Sequence, residues 1–336
     1  MRLKCYGTLS LLVLMLSTAG CGNFVARRMA QSPNTYPDWF GSMARTQLAF
    51  DRKVLTNFPP HTLTVGPPEA RLRYRIVEPM DFQMEVASTN WMKHGRQHSS
   101  FSFRTHLPGV TNDWTALPRG TVLLLHGYGL AEFAMVPWAL RLAEEGWRCV
   151  LVDLRGHGKS TGRKIYYGTV EAHDLSQLLD ELARDQHVSG PVSVIGESYG
   201  AALALRLKAV DPRIGSVVAI APYGELSEVV LNICHEYAGW LPTSLVKAGL
   251  KKLPALLKVD AAELDTTTVL DRTPVAALFV AGAGDKIAPV ADVRKLSGKA
   301  APESEIVVVP NASHEAVVYH FDELLAPVLA WLNGKH

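Results

Sequence analysis

Short runs of consecutive apolar residues recur along the chain between residues 121 and 309. Stretches whose apolar positions have helical spacing separate them, for example 133–145, 170–185 and 201–210. Strands that are buried on both faces have such continuous apolar sequences and belong to parallel sheets. The alternation predicts an α/β fold with a mostly parallel, doubly wound sheet. The apolar runs are 122–125, 149–152, 192–195, 217–220, 277–280 and 306–309.

The chain before residue 110 has a different pattern. Residues 71–77, 82–86 and 99–105 alternate apolar and polar positions. Alternation with a period of two is typical of strands with one exposed face, which predicts antiparallel strands at a sheet edge. Residues 21–69 carry several prolines among polar residues, which predicts a tether with short structured pieces. The predicted main domain is therefore 70–336.

One interval interrupts the alternation of strands and helices. About 50 residues separate the apolar runs near 221 and 275, more than the connections usual in such folds. Leu226, Val229 and Ile233 recur there at helical spacing, and a second stripe has lysines on its other side. The interval predicts a small helical cap at about 225–270.

The N-terminus has the pattern of a secretory signal peptide over residues 1–20. Two basic residues precede an apolar run, 9–16, which is too short to span a bilayer. The sequence Ala-Gly before Cys21 resembles the lipobox of bacterial lipoproteins, with Thr18 where an aliphatic residue is usual. That resemblance implies export, lipidation of Cys21 and a membrane anchor in the bacterial cell envelope. The alternative is an ordinary signal peptide with an incidental cysteine.

Charge and composition exclude several classes of function. The chain has 34 basic and 32 acidic residues, and the numbers become equal once Arg2 and Lys4 are removed with the signal peptide. No electrostatic footprint for nucleic acid remains, and no spacing typical of a metal or cofactor site is present. Cys149 and Cys234 are predicted to be free thiols, since one lies in a strand and the other in a helix.

Candidate chemistry begins with the sequence Gly-Glu-Ser-Tyr-Gly at 196–200. It directly follows an apolar run and leads into a helical stretch, which is the setting of a nucleophile elbow. A serine on such a turn has strained backbone angles, costing on the order of 1–3 kcal/mol, and flanking glycines let the strand and helix approach closely. Ser198 is therefore the predicted nucleophile.

Asp285 and His314 follow the last two predicted strands. The carboxyl ends of parallel strands open on one edge of the sheet, so the two residues are expected beside Ser198. The chain order Ser, Asp, His is that of α/β hydrolases and differs from those of trypsin-like and subtilisin-like proteases. Alternatives for the acid all precede the strand whose exit loop should carry it, and they are Asp260, Asp265 and Asp271.

These residue types suit nucleophilic catalysis. A serine hydroxyl needs a neutral imidazole to accept its proton and a carboxylate to orient that imidazole. Backbone N–H groups must stabilise the developing oxyanion. The predicted donors are the amide of Tyr199, directly after the nucleophile, and that of Tyr128, in the His-Gly-Tyr-Gly loop at 126–129.

Over about residues 120–333 the sequence resembles the α/β-hydrolase superfamily, and within it the serine aminopeptidase and monoacylglycerol-lipase-like group. The resemblance rests on the 126–129 loop, the elbow, and Asp-Leu-Arg-Gly-His-Gly-Lys-Ser at 153–160. It implies a hydrolase without a cofactor. We interpret Asp153, His126 and His157 as structural rather than catalytic residues.

The expected function is hydrolysis of a carboxylic ester, such as an acylglycerol or lysophospholipid, through an acyl-enzyme. Peptidase or thioesterase activity on the same triad stays open, because the walls of the pocket select the substrate. A catalytically silent envelope binding protein is the alternative of another class. An epoxide hydrolase or dehalogenase would need Asp at position 198, where this chain has Ser198.

Overall fold

The computed structural model describes residues 22–35, 46–50, 52–93, 96–105 and 117–334. The predicted signal peptide and Cys21 lie outside these ranges. The described strands are β1 Thr46–Phe50, β2 Pro60–Val65, β3 Ala70–Val77, β4 Glu85–Lys93, β5 Arg96–Arg104, β6 Thr121–Leu125, β7 Arg148–Asp153, β8 Val192–Glu197, β9 Ile214–Ile220, β10 Leu278–Gly282 and β11 Glu305–Val309.

The helices lie largely between the later strands. The first is α1, residues 22–30. The others are α2 Val136–Glu144, α3 Glu171–Arg184, α4 Tyr199–Val210, α5 Leu226–Tyr237, α6 Thr243–Leu257, α7 Thr266–Arg272, α8 Val290–Ser297 and α9 Phe321–Leu332. None of the helices in the described ranges is both long and apolar enough to cross a membrane.

The main sheet has eight strands in the order β11-β10-β9-β8-β6-β7-β3-β2. Strands β6 to β11 run parallel to their neighbours, while β3 is antiparallel to β7 and β2 is antiparallel to β3. Strand β6 is buried along its whole length, as its apolar sequence requires. The predicted mostly parallel α/β architecture with an antiparallel edge is confirmed.

Strands β4 and β5 are antiparallel to each other, as predicted, but they do not lie at the edge of the main sheet. They form a hairpin that joins β1 in a separate three-stranded sheet. Alternation along a strand shows that one face is exposed, but it does not identify the partner strand. Phe101 and Phe103 of β5 pack instead against Tyr319, and Phe103 also packs against Phe321, the first residue of α9.

The predicted tether with short structured pieces, residues 21–69, contains a strand of the main sheet. The main domain therefore begins before the predicted boundary at residue 70. Strand β2 belongs to the main sheet even though Pro60 begins it, because an edge strand tolerates proline. Helix α1 packs on α6, and the hydroxyl of Ser32 donates to the carbonyl oxygen of Gly156 at 2.5 Å. Residues 36–45 lie outside the described ranges.

The predicted cap is present between β9 and β10. It consists of α5, α6, a 3-10 helix at Ala261–Leu264, and α7. The side-chain amide of Asn232 on α5 donates to the carbonyl oxygen of Ile287 at 3.0 Å, in the loop after β10. Cys149 and Cys234 are free, as predicted.

Candidate active site

Ser198 lies on the sharp turn between β8 and α4. Its φ of 51° and ψ of −108° are outside the regions that side chains with a Cβ usually adopt. Its backbone N–H donates to the carbonyl oxygen of Ile220 at 2.8 Å, which holds the turn against β9. The conformation is the strained one that the nucleophile-elbow sequence predicts.

The two glycines of the elbow are required by close backbone approach. A Cβ on Gly196 would lie 2.1 Å from the carbonyl oxygen of Gly200. A Cβ on Gly200 would lie 2.2 Å from the carbonyl oxygen of Leu125, at the end of β6. Any larger residue at either position would push α4 away from the sheet. The spacing of glycines around Ser198 therefore follows from packing.

The structure brings the three predicted catalytic side chains into one hydrogen-bonded chain. Nε2 of His314 lies 2.8 Å from Oγ of Ser198. Nδ1 of His314 lies 2.8 Å from Oδ2 of Asp285. This arrangement orients one ring nitrogen toward the nucleophile and the other toward a carboxylate, as a Ser-His-Asp triad requires.

Asp285 is fixed by backbone donors as well as by His314. Its Oδ1 accepts from the N–H groups of Ile287 at 2.7 Å and Ala288 at 2.8 Å, which leaves Oδ2 for the imidazole. The alternative acids have other partners, and none of them contacts His314. Asp260 accepts from the Ala262 N–H, Asp265 from the Leu226 N–H, and Asp271 pairs with Lys299.

Two carboxyl groups besides Asp285 influence the pKa of His314. Burial alone would lower the pKa of His314, but attraction to Asp285, Glu197 and Glu315 outweighs burial and raises that pKa above its ordinary value. Burial raises the pKa of Glu197 to about 7. The carboxylate of Glu197 accepts the backbone N–H of Gly127, so this side chain joins the elbow to the 126–129 loop.

The two predicted oxyanion-hole residues are neighbours in the structure. The rings of Tyr128 and Tyr199 meet edge to face, with centroids 6.1 Å apart. His126 holds the 126–129 loop against the chain that follows β7, because its Nε2 accepts the Leu154 N–H at 3.1 Å. Burial lowers the pKa of His126 to about 4, so its ring is neutral and suited to this structural contact.

The 153–160 stretch forms the wall beside this loop. Asp153 accepts the backbone N–H groups of Glu132 and Lys159, both at 2.7 Å. His157 packs between the rings of His126 and Tyr199, with centroids 5.2 and 5.7 Å away. Neither Asp153 nor His157 contacts the triad through a hydrogen bond, in agreement with the interpretation that both are structural.

Sequence reasoning missed Glu315, the residue after His314. Its Oε2 accepts the backbone N–H of Thr46 on β1 at 2.8 Å, and its Oε1 accepts the hydroxyl of Tyr237 on α5. Glu315 therefore connects the His314 loop to the small sheet and to the cap. The sequence contains no pattern for this contact, because it depends on how three separate elements pack.

Comparison with known proteins places these features in context. Residues 116–267 match the family model described as serine aminopeptidase, S33. The uncharacterized protein YqkD of Bacillus subtilis is 24% identical over 199 residues, which is 58% of this chain. The monoacylglycerol lipase of Mycolicibacterium smegmatis is 29% identical over 121 residues, which is 34% of this chain. The alignments span only 64% and 38% of the relatives' own lengths.

Solved structures resemble the chain over a greater length. The esterase Pf2001 of Pyrococcus furiosus superimposes with a TM-score of 0.60 at 20% identity. That superposition covers 85% of this chain and 94% of the esterase. At this identity the likeness is evidence of a shared fold.

Proposed function

Because this chain has the α/β-hydrolase fold, we propose that it is a serine hydrolase that cleaves carboxylic esters through an acyl-enzyme. The observation that carries the proposal is the contact chain from Ser198 through His314 to Asp285, with the serine on a strained elbow. The family match and the lipase and esterase among the similar proteins support it.

The first half of the reaction uses the proton of Ser198. His314 accepts this proton at Nε2 while Oγ attacks the ester carbonyl, and Asp285 stabilises the imidazolium at Nδ1. The oxyanion that forms would accept hydrogen bonds from the backbone N–H groups of Tyr128 and Tyr199. Losing one such donor costs about 2.7–4 kcal/mol of transition-state stabilisation in comparable enzymes.

The remaining steps release the alcohol and then hydrolyse the acyl-enzyme. The imidazolium of His314 donates its proton to the departing alcohol, which leaves an ester between the acyl group and Ser198. A water molecule then takes the place of the alcohol and attacks the acyl carbonyl while His314 accepts its proton. His314 returns that proton to Oγ of Ser198 as the acid is released. The same groups therefore serve both steps.

A fluorophosphonate probe tests this assignment directly. It should label the wild-type chain at Ser198, and Ser198→Ala should abolish both labelling and ester hydrolysis. His314→Ala should lose nearly as much activity, because the groups act as a unit. Asp285→Asn should lose on the order of 10⁴ in turnover. Labelling that persists in Ser198→Ala, or full activity in His314→Ala, would overturn the proposal.

The acyl group and leaving group define a second question. Esters of graded acyl length, aminoacyl amides and thioesters should be hydrolysed at different rates. We expect the highest kcat/KM on esters, as the lipase and esterase relatives suggest. A preference for aminoacyl amides would favour the peptidase reading of the same triad, which the family match would also accommodate.

We also propose that the chain is exported and anchored to the bacterial envelope through acylated Cys21. The apolar run and the sequence Ala-Gly-Cys support this, and a diacylglyceryl group with an amide-linked chain exceeds what stable anchoring requires. Cys21→Ser should give a mature protein without lipid that high salt releases from membranes, or it should block processing. A wild-type mass without lipid, together with full solubility after lysis, would contradict the anchor.

A further inference from the structure

Two segments that are distant in the sequence carry basic residues and no acidic ones. Residues 22–35, which include α1, contain two arginines, and residues 238–259, which include α6, contain four lysines. Neither segment has a single Asp or Glu. The chain after the signal peptide has balanced charge, so this is a local excess of positive charge.

The two segments form one surface because α1 and α6 are in contact. A Cβ on Gly249 of α6 would lie 2.4 Å from Cγ1 of Val25 on α1, so the glycine allows the helices to approach. A Cβ on Gly22 would lie 3.2 Å from the Cβ of Ala248. We call the exposed sides of these two helices the α1–α6 surface.

A neighbouring loop extends this surface. Gln31 forms a bridge with Lys164, whose ammonium group donates to the carbonyl oxygen of Leu256, near the end of α6, at 3.2 Å. The adjacent Arg163 is exposed. The positive charge therefore continues from the end of α1 toward the end of α6.

The lysines of α6 are available to an external partner. Lys247, Lys251 and Lys258 are exposed. Lys247 and Lys251 are one turn apart on α6, and Lys258 directly follows the end of the helix. Among the residues that the structure describes, no carboxylate forms an ion pair with any of the three. Arg27 on α1 is also exposed. Asp260, two residues after Lys258, is exposed as well, so the surface has a net positive charge beside one carboxylate.

Two large apolar side chains on or next to these helices are exposed. Phe24 on α1 is 66% exposed, and Trp240, just before α6, is 83% exposed. Such exposure costs solubility without a packing benefit in the isolated chain. Aromatic side chains beside lysines and arginines are typical of surfaces that lie in the interface of a lipid bilayer, where the rings enter the headgroup region.

We propose that the α1–α6 surface binds the anionic headgroups of a phospholipid membrane. The charge excess supplies attraction to a negative surface, and Phe24 and Trp240 supply apolar contacts that a nucleic acid or an acidic protein would not require. Helix α1 begins one residue after Cys21. An acylated Cys21 would bring this surface to the bilayer, but the binding itself needs no acyl chain and does not depend on the hydrolase proposal.

Lysine footprinting of the full-length chain tests the location of the surface. The chain is mixed with phosphatidylcholine vesicles, with or without phosphatidylglycerol, and treated with an amine-reactive reagent before mass spectrometry. Lys247, Lys251 and Lys258 should be protected only when phosphatidylglycerol is present. Lys295 and Lys299, on and just after α8, are paired with carboxylates of Glu225 and Asp271 and should react equally in both samples. The proposal would be overturned if phosphatidylglycerol protected all five lysines equally, or if it protected none of them.

A charge-matched pair of variants tests the energetics in the full-length Cys21→Ser background. Removing one lysine near an anionic surface weakens binding about fivefold. Lys247→Gln/Lys251→Gln/Lys258→Gln should therefore reduce the preference for phosphatidylglycerol over phosphatidylcholine on the order of 100-fold at low salt. Lys93→Gln/Lys295→Gln/Lys299→Gln should retain it. An equal loss in both variants would reject a membrane surface. Stronger protection of the three α1–α6 lysines by double-stranded DNA than by vesicles, in the same footprinting experiment, would also reject it.

Discussion

Glu197 gives the triad a pH dependence beyond that of a histidine and a single aspartate. Its ionised carboxylate raises the pKa of His314 by attraction, because it stabilises the imidazolium. His314 must be neutral to accept the proton of Ser198, so activity should fall as the pH decreases through this raised pKa. The acid limb of kcat/KM is thus expected above pH 6.5, the ordinary pKa of a histidine.

Glu197→Gln should move the acid limb of this profile toward lower pH. The amide oxygen can still accept the N–H of Gly127, while the negative charge that favours the imidazolium is gone. The measurement is kcat/KM on a short soluble ester from about pH 5 to pH 9. Glu323→Gln, which removes a surface carboxylate beside His320, serves as the control and should leave the profile unchanged. An unmoved acid limb in Glu197→Gln would contradict the coupling.

The contacts of the three triad residues follow from the sequence, whereas those of their neighbours do not. Parallel strands deliver Ser198, Asp285 and His314 to one sheet edge, and this rule needs only the order of the apolar runs. The link of Glu315 to β1 and α5 depends on packing between elements that no local pattern specifies. The roles assigned to Tyr128 and Tyr199 remain predictions that need substrate analogues.

At the scale of elements, a buried ion pair joins the 153–160 loop to α3. Nε and Nη2 of Arg155 donate to both carboxylate oxygens of Asp174, at 2.6 and 2.8 Å, and both side chains are 2% exposed. Arg155→Met would leave a buried, uncompensated carboxylate, which should cost about 3–5 kcal/mol of unfolding free energy. Urea denaturation measures this cost.

The control for that prediction lies on α3 itself. Arg184→Met breaks the exposed pair with Glu181 and should cost about 1 kcal/mol or less. The double variant Arg155→Met/Asp174→Leu should recover much of the stability, because it removes the unpaired charge together with its partner. If Arg155→Met and Arg184→Met had equal free energies of unfolding, the buried pair would not contribute to the stability of the protein.

The cap is coupled to the catalytic loop through α5. The hydroxyl of Tyr237 donates to Glu315, next to His314, so Tyr237→Phe should loosen this contact. We expect kcat/KM to fall on the order of tenfold, since hydrogen bonds to charged groups contribute about 1.5–3 kcal/mol. Tyr74→Phe on β3, near the opposite edge of the main sheet, should leave kcat/KM unchanged. Equal kinetics in both variants would show that α5 does not position the loop.

The existence of the cap was predictable, but its relation to the site was not. Helical spacing identified α5 and α6, because amphipathic helices keep a regular apolar stripe. Trp240, which the sequence places within the cap, is 83% exposed and does not line a buried surface. Its exposure depends on where the chain turns between α5 and α6, and the apolar pattern does not specify that turn.

On the scale of the whole molecule, the N-terminal residues are the largest departure from the sequence interpretation. Prolines and polar residues predict a tether with short structured pieces, yet α1, Ser32 and β2 all contact the main domain. Short segments such as α1 have too few residues for a periodic pattern to stand out. Their structure comes from tertiary packing, which single-sequence propensity does not report.

If α1 is part of the folded domain, a buried charge within it should destabilise the whole protein. Ala26 is 1% exposed and its backbone lies against Gly249 of α6, so Ala26→Asp forces a carboxylate into that interface. We expect a loss of roughly 2–4 kcal/mol of unfolding free energy, measured by urea denaturation. Asn23→Asp adds the same charge on the exposed side of α1 and should change stability by about 0.5 kcal/mol or less. A tether would make the two variants indistinguishable.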